Sequence, residues 1–113
     1  MAVSADWLRG YTDAILLREL QEGDSYGYEI QKHVSALSKG TLQLKEATLY
    51  TAFRRLEQAG YISSYWGDEM QGARRRYYHL TPQGEEKLRE EKAQWRETRK
   101  TLSILLGEDG YEV

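Results

Sequence analysis

The chain contains no cysteine. Disulfides, Cys-type zinc fingers and thiol catalysis are therefore excluded, in agreement with a cytoplasmic protein. Its two histidines, His33 and His79, form no metal-ligand pair at useful spacing and read as structural or surface residues. No apolar run approaches the roughly 20 residues of a membrane span. No signal-peptide pattern opens the sequence. The GxxxxGK and GxGxxG phosphate motifs and the GxSxG nucleophile motif are also missing. Asp68 and Glu69 lie together, but without the ligand series of a calcium loop. The remaining acidic residues sit mostly on helix faces beside Lys or Arg, as on a solvated face. No catalytic pair, metal set or cofactor motif is left, so neither an enzyme nor a cofactor protein is expected.

What is present amounts to one domain, or one domain with an appended helix, in 113 residues. A chain of this size builds a modest core, to which oligomerisation adds stability. The formal net charge is −2, but it is unevenly spread. Residues 25–81 hold eight Lys/Arg against five Asp/Glu. Residues 1–24 hold two against five, and residues 82–113 six against eight. The basic excess therefore falls on the middle of the chain.

That middle carries KEATLYTAFRRLEQAGYI, from Lys45 to Ile62. Leu49, Ala52, Phe53, Leu56 and Ala59 recur at spacings of three and four, so one face of a short helix is apolar. Thr48, Thr51, Arg54, Arg55 and Gln58 fall on the other face, with Ala47 at its start. Gly60 stands at a C-terminal cap position. The outward face presents hydroxyls and guanidiniums on a rod of about 10–12 Å, close to the width of the B-DNA major groove. The spacing predicts a reader helix; the competing reading is an ordinary amphipathic surface helix.

The flanking segments decide between the two. Residues 4–21 carry a wide apolar stripe including Trp7, Tyr11, Ala14, Leu17 and Leu20, with Ser4 or Asp6 as cap and Gly23 beyond the end. A second helix is predicted from Tyr26 to Leu37, with Asp24 or Ser25 as N-cap and Gly27 keeping the first turn slim. A turn from Ser38 to Leu44 follows, with Lys39 and Gly40. In a helix-turn-helix the helix before the reader crosses the phosphate backbone, so Tyr26, Lys39 and Tyr50 are expected to contact phosphates. Beyond the reader, 61–66 and 74–80 read as strands around the loop GDEMQGA, with Ile62, Tyr78 and Leu80 facing inward. Arg74, Arg75 and Arg76 stand on the returning strand, where a wing meets phosphates or the minor groove; their alternative role is to protect a strand edge. Thr81 followed by Pro82, the only proline, marks the start of a last helix running to about Leu106. Leu88, Trp95 and Leu102 repeat every seven residues on it, a narrow seam that calls for a partner helix.

The expected fold is mainly α with a small β-hairpin: a winged helix-turn-helix over residues 1–81, its first helix shared with a dimer interface, plus a long C-terminal dimerisation helix and tail over 82–113. The stretches EATLYT, RLE, ISSYWGDE and ARRRYYHLT resemble the PadR family of winged-helix transcriptional regulators, in particular its multidrug-responsive repressors, across roughly residues 7–102. The family often has Gly-Thr-Leu-Tyr-Pro where this chain has Ala47-Thr48-Leu49-Tyr50-Thr51, which leaves a hydroxyl facing outward. The resemblance implies a cytoplasmic homodimer that binds a double-stranded DNA operator, with the last helix packed against the partner's first helix. It also implies a flat aromatic effector stacked between two copies of Trp95, in a site lined by Ala14, Arg18, Leu88, Lys92 and Arg99. Two rival readings remain. One is a winged-helix protein-interaction module without DNA binding; the other is a small-ligand carrier or enzyme using the Trp95 site.

Overall fold

The computed structural model describes residues 8–68 and 72–108. A 3₁₀ turn, Arg9–Tyr11, leads into α1 (Thr12–Gln21), which buries Leu16, Leu17 and Leu20. The apolar stripe predicts one helix over residues 4–21; among the described residues Leu8 is helical, the 3₁₀ turn interrupts, and the regular α-helix runs from Thr12. No side-chain cap precedes it. Gly10 within this stretch weakens a helix by roughly 1 kcal/mol relative to Ala, which favours the tighter turn. Ser4, Asp6 and Trp7 lie outside the described residues, as do the loop residues 69–71 and the tail beyond 108.

Helix α2 (Gly27–Leu37) turns Ile30 and Val34 inward. The sequence offers Asp24 or Ser25 as its cap, but the N-cap is Tyr26, with no side-chain hydrogen bond. Ser25 stands one residue too early and is extended. Its N–H donates to the Tyr78 carbonyl at 3.2 Å and its carbonyl accepts from Tyr78 at 2.8 Å. The chain before α2 thereby becomes a short third rung beside the hairpin. At the other end of α2, Gly40 donates to Ser35 and Lys39 to Ala36. This is a Schellman turn in which Lys39, with φ 53°, and Gly40, with φ 80°, are both left-handed.

The reader helix, α3 (Glu46–Gln58), buries Leu49, Ala52, Phe53 and Leu56. Gly60, at φ 85°, ends it. Tyr61 donates to Leu56 and Gly60 to Glu57, a second Schellman turn that leads straight into the wing. Strands β1 (Ile62–Trp66) and β2 (Arg76–Leu80) pair antiparallel, from Ile62 with Leu80 to Trp66 with Arg76. The returning strand is two residues shorter than predicted, so Arg74 and Arg75 precede the ladder. Gly67 still donates to the Arg75 carbonyl at 2.7 Å. Alternation holds as read: Ile62, Tyr78 and Leu80 are buried.

Helix α4 (Pro82–Leu105) begins as the sequence predicts. The Thr81 hydroxyl accepts from Gly84 N–H at 3.0 Å and donates to the Gly60 carbonyl at 2.7 Å, so one side chain caps α4 and holds the end of α3. Only Gly84 and Leu88 of its 24 residues are buried, and the molecule extends 56 Å along its longest axis. The far part of α4 therefore projects from the core, with Leu102, Leu105 and Leu106 exposed.

Gly84 is required by close approach. A Cβ there would lie 2.0 Å from the Tyr61 carbonyl oxygen and 2.6 Å from Leu80 Cδ1. That carbonyl also accepts from Thr81 N–H and cannot withdraw without losing the bond. Gly84→Ala is expected to destabilise the fold by about 1–3 kcal/mol, as overpacking does. Urea denaturation measures this, and an unchanged midpoint would show that the α3–α4 junction is loosely packed.

Candidate nucleic-acid interface

The apolar face of α3 seats the helix and leaves Ala47, Thr48, Thr51 and Arg54 exposed on the other side. Phe53 stacks on Tyr78 with ring centroids 3.9 Å apart, fixing the helix to the hairpin. Tyr50 is 43% exposed, its ring edge-on to Phe53 at 6.0 Å. Its hydroxyl lies 3.0 Å from where a Cβ on Gly27 would stand. The slim first turn of α2 thus admits the Tyr50 phenol, bringing Tyr50 to the N-terminus of α2 beside Tyr26.

Arg54 and Arg55 are adjacent but differently placed. Arg55 donates through Nε (3.3 Å) and a terminal nitrogen to the two carboxylate oxygens of Asp13 on α1. This hydrogen bond raises its already high pKa, against the opposing effect of burial. The pair ties the reader to α1.

The arginine run divides in the same way. Arg74 Nε donates to the Gly67 carbonyl at 2.8 Å across the mouth of the wing. The Arg75 guanidinium lies over the Tyr26 ring at 4.7 Å. Arg76 turns to the reader: it donates to Ser64 Oγ at 2.8 Å and lies 3.6 Å from Glu57 on α3. Ser64 in turn donates to Glu57 at 2.6 Å. Glu57, Ser64 and Arg76 thus brace the wing against the reader helix. Lys39 is exposed at the end of α2.

The outer face of the wing carries an aromatic row. Tyr65 stacks on Tyr77 at 5.6 Å, and Tyr77 meets Tyr26 edge-on at 5.4 Å. Below it Asp24 accepts from the Tyr65 hydroxyl at 2.6 Å and from His79 Nδ1 at 2.8 Å. Partial burial pushes the Asp24 carboxyl up, but these two bonds outweigh it and hold its pKa below the usual value. The same bond pushes the Tyr65 phenol up to about 12. The Asp24 contribution to stability is therefore present above its unfolded pKa and fades as pH falls through the lowered folded value. That of Tyr65 is complete below its ordinary value of 10.0 and fades as pH rises toward 12. His33 pairs with Glu19 at 2.7 Å. Both histidines are thus engaged with carboxylates, and no metal-holding group of three occurs among the described residues.

A second feature lies on the opposite side. Between α1, the end of α2 and α4 runs a largely apolar groove of about 520 Å³. Ala14, Arg18, Leu88, Lys92 and Trp95 line it, together with Tyr11, Ile15, Val34, Leu37, Glu19 and Glu91; Arg99 does not. Trp95 is 43% exposed and meets Tyr11 edge-on at 5.4 Å. Arg18 pairs with Glu22, and Lys92 reaches Gln21 at 3.5 Å. The carboxylates Glu19 and Glu91 make the groove less basic than its cations alone suggest.

The contacts Asp13–Arg55, Glu57–Arg76 and Asp24–Tyr65–His79 leave no local signal in the sequence. Their partners are too far apart in sequence for local periodicity to link them. Ile15, Val34 and Leu37 are apolar helix residues that only the packing turns toward the groove.

Comparison with known proteins accords with this geometry. The profile of the "Transcriptional regulator PadR-like family" matches residues 16–90. An uncharacterized protein of Lysinibacillus sphaericus is 39% identical over 104 residues, covering 92% of this chain and 95% of that one. A transcriptional regulator from Clostridium thermocellum has a similar structure, with TM-score 0.82 and 45% identity, over 88% of this chain and 96% of that chain. A PadR family transcription regulator from Clostridium difficile follows, with TM-score 0.75 and 38% identity, over 85% of this chain and 98% of that chain. For a PadR family transcriptional regulator from Eggerthella lenta the figures are 0.78 and 32%, over 93% and 88%. Members of this family are transcriptional regulators and not enzymes. The chain, mainly helical with one two-stranded wing, belongs to the PadR-like family of transcriptional regulators.

Proposed function

We propose that the protein is a homodimeric repressor that binds a double-stranded DNA operator and releases it when a flat aromatic ligand occupies the dimer interface. The observation that carries this reading is the reader helix: Thr48, Thr51 and Arg54 face solvent on a rod seated by Leu49, Phe53 and Leu56. Hydroxyls and a guanidinium on such a rod suit base edges in the major groove. Tyr26 and Tyr50 at the start of α2, and Lys39 at its end, would supply phosphate contacts, and Arg74 and Arg75 would do so at the wing. Arg55 and Arg76, engaged with Asp13 and Glu57, act chiefly as braces that aim the reader.

The projecting part of α4, with its exposed Leu102, Leu105 and Leu106, supports assignment of residues 82–113 to dimerisation, against α1 of a second copy. Pairing there would close the groove of each protomer around two Trp95 rings. Ala14, Arg18, Leu88 and Lys92 line that site. A ligand that prefers one angle between the two winged units changes the half-site spacing, which must stay near 34–36 Å for one helical turn. Such control is the behaviour of a multidrug-responsive repressor acting in the cytoplasm.

Two substitutions test the reading. Thr51→Ala is expected to relax discrimination at one base position per half-site by roughly 1–3 kcal/mol. Selection from a randomised operator library measures this, and unchanged discrimination would remove Thr51 from base reading. Trp95→Ala is expected to leave the dimer intact and abolish binding of a flat aromatic dye, because Trp95 lines an open groove. If Trp95 instead fills the dimer seam, its loss should weaken the dimer by about 3–5 kcal/mol. Sedimentation combined with dye titration separates the two: a mutant that dissociates to monomers, or still binds dye normally, contradicts the ligand site.

A further inference from the structure

Trp66 is the last residue of β1 and is 55% exposed. It lies on the hairpin face that meets the reader helix, the same face as Ser64 and its ladder partner Arg76. Ser64 and Arg76 both reach Glu57 of α3. Trp66 stands two residues beyond Ser64, about 7 Å further along the strand, past the point where the hairpin packs on the helix. Its indole is held by the Arg76 guanidinium, 5.5 Å from the ring centroid. Arg76 is itself braced by Ser64 and Glu57. The orientation of the indole is therefore tied to that of the reader. Arg74 spans the mouth of the wing beside it, donating to the carbonyl of the next residue, Gly67.

A large apolar ring left in water at a fixed angle gains free energy when it is covered. The partner must bring an apolar surface flanked by negative charge, since the Arg76 guanidinium lies over the ring and Arg74 stands beside it at the Gly67 carbonyl. The sugar–phosphate strand of duplex DNA has this chemistry: a deoxyribose face presented between two phosphates. We infer that Trp66 is a DNA contact, its indole covering a deoxyribose of the strand beside the reader helix while the neighbouring guanidiniums meet the adjoining phosphates. The contact reads backbone position rather than base identity, so it fixes the register in which α3 enters the groove. This inference rests on the DNA-binding reading above.

The test uses the full chain with 5-fluorotryptophan at its three tryptophans, the Trp66 resonance being assigned with Trp66→Phe. The probe is a fluorescein-labelled duplex selected by the protein from a randomised pool, so that anisotropy reports binding independently of the fluorine signal. The Trp66 resonance should shift on saturation with the duplex. Trp66→Ala should weaken binding by about tenfold, with Trp66→Phe recovering part of the loss. The melting temperature of Trp66→Ala should be unchanged, since the side chain is exposed. Duplex binding with an unmoved Trp66 resonance and undiminished Trp66→Ala affinity overturns the inference and leaves the DNA-binding reading standing. A pool that yields no bound duplex overturns both.

Discussion

The stacking of Phe53 on Tyr78 is the contact on which the other parts depend. It joins the only face of α3 that can be buried to the inner face of the wing, with the two rings 18° from parallel. Offset aromatic stacking adds about 0.5–1.5 kcal/mol beyond area burial, and emptying a Phe site costs about 3–5 kcal/mol. Around this contact the elements hold one another. Tyr78 pairs with Ser25 ahead of α2. The Schellman turn at Gly60 leads α3 into β1, and Thr81 ties the start of α4 back to Gly60. Displacing the reader helix would thus disturb the wing, α2 and α4 together.

Charged groups refine what the core fixes. Exposed ion pairs are each worth roughly 0–1 kcal/mol, so Asp13–Arg55 and Glu57–Arg76 contribute little to stability. Their value is directional: one braces the reader against α1, the other against the wing. The same guanidiniums read in sequence as a uniform basic patch divide into those that aim the helix and those exposed at the wing mouth. Asp24 performs a similar service for the outer face, joining Tyr65 and His79 across both strands to the segment before α2.

Much of this was legible in the sequence because it is local. Periodicity marked Leu49, Phe53 and Leu56, alternation marked Ile62, Tyr78 and Leu80, and the Thr81–Pro82 pair marked the start of α4. The errors arose where a non-local constraint outweighed a local preference. Ser25 has the chemistry of an N-cap, but pairing with Tyr78 leaves it one residue before the cap, and its hydroxyl donates to Glu29 instead. Lys39 shares the left-handed turn with Gly40, a conformation that its side chain does not announce. Within the first stripe the described chain is helical at Leu8 and again from Thr12, with a 3₁₀ turn at Arg9–Tyr11 around Gly10 between them. Arg55 and Arg76 were indistinguishable from their neighbours until folding brought Asp13 and Glu57 beside them.

The central claim is that the braced helix and wing form a surface for duplex DNA, and the salt dependence of binding tests it most directly. With Lys39, Arg74 and Arg75 neutralising about three phosphates per protomer, about six per dimer, log K against log salt should fall with a slope near −5. Fluorescence anisotropy with a selected duplex between low and physiological salt gives that slope. A steep linear decrease is the predicted result; a flat dependence, or no binding at low salt, would contradict the account.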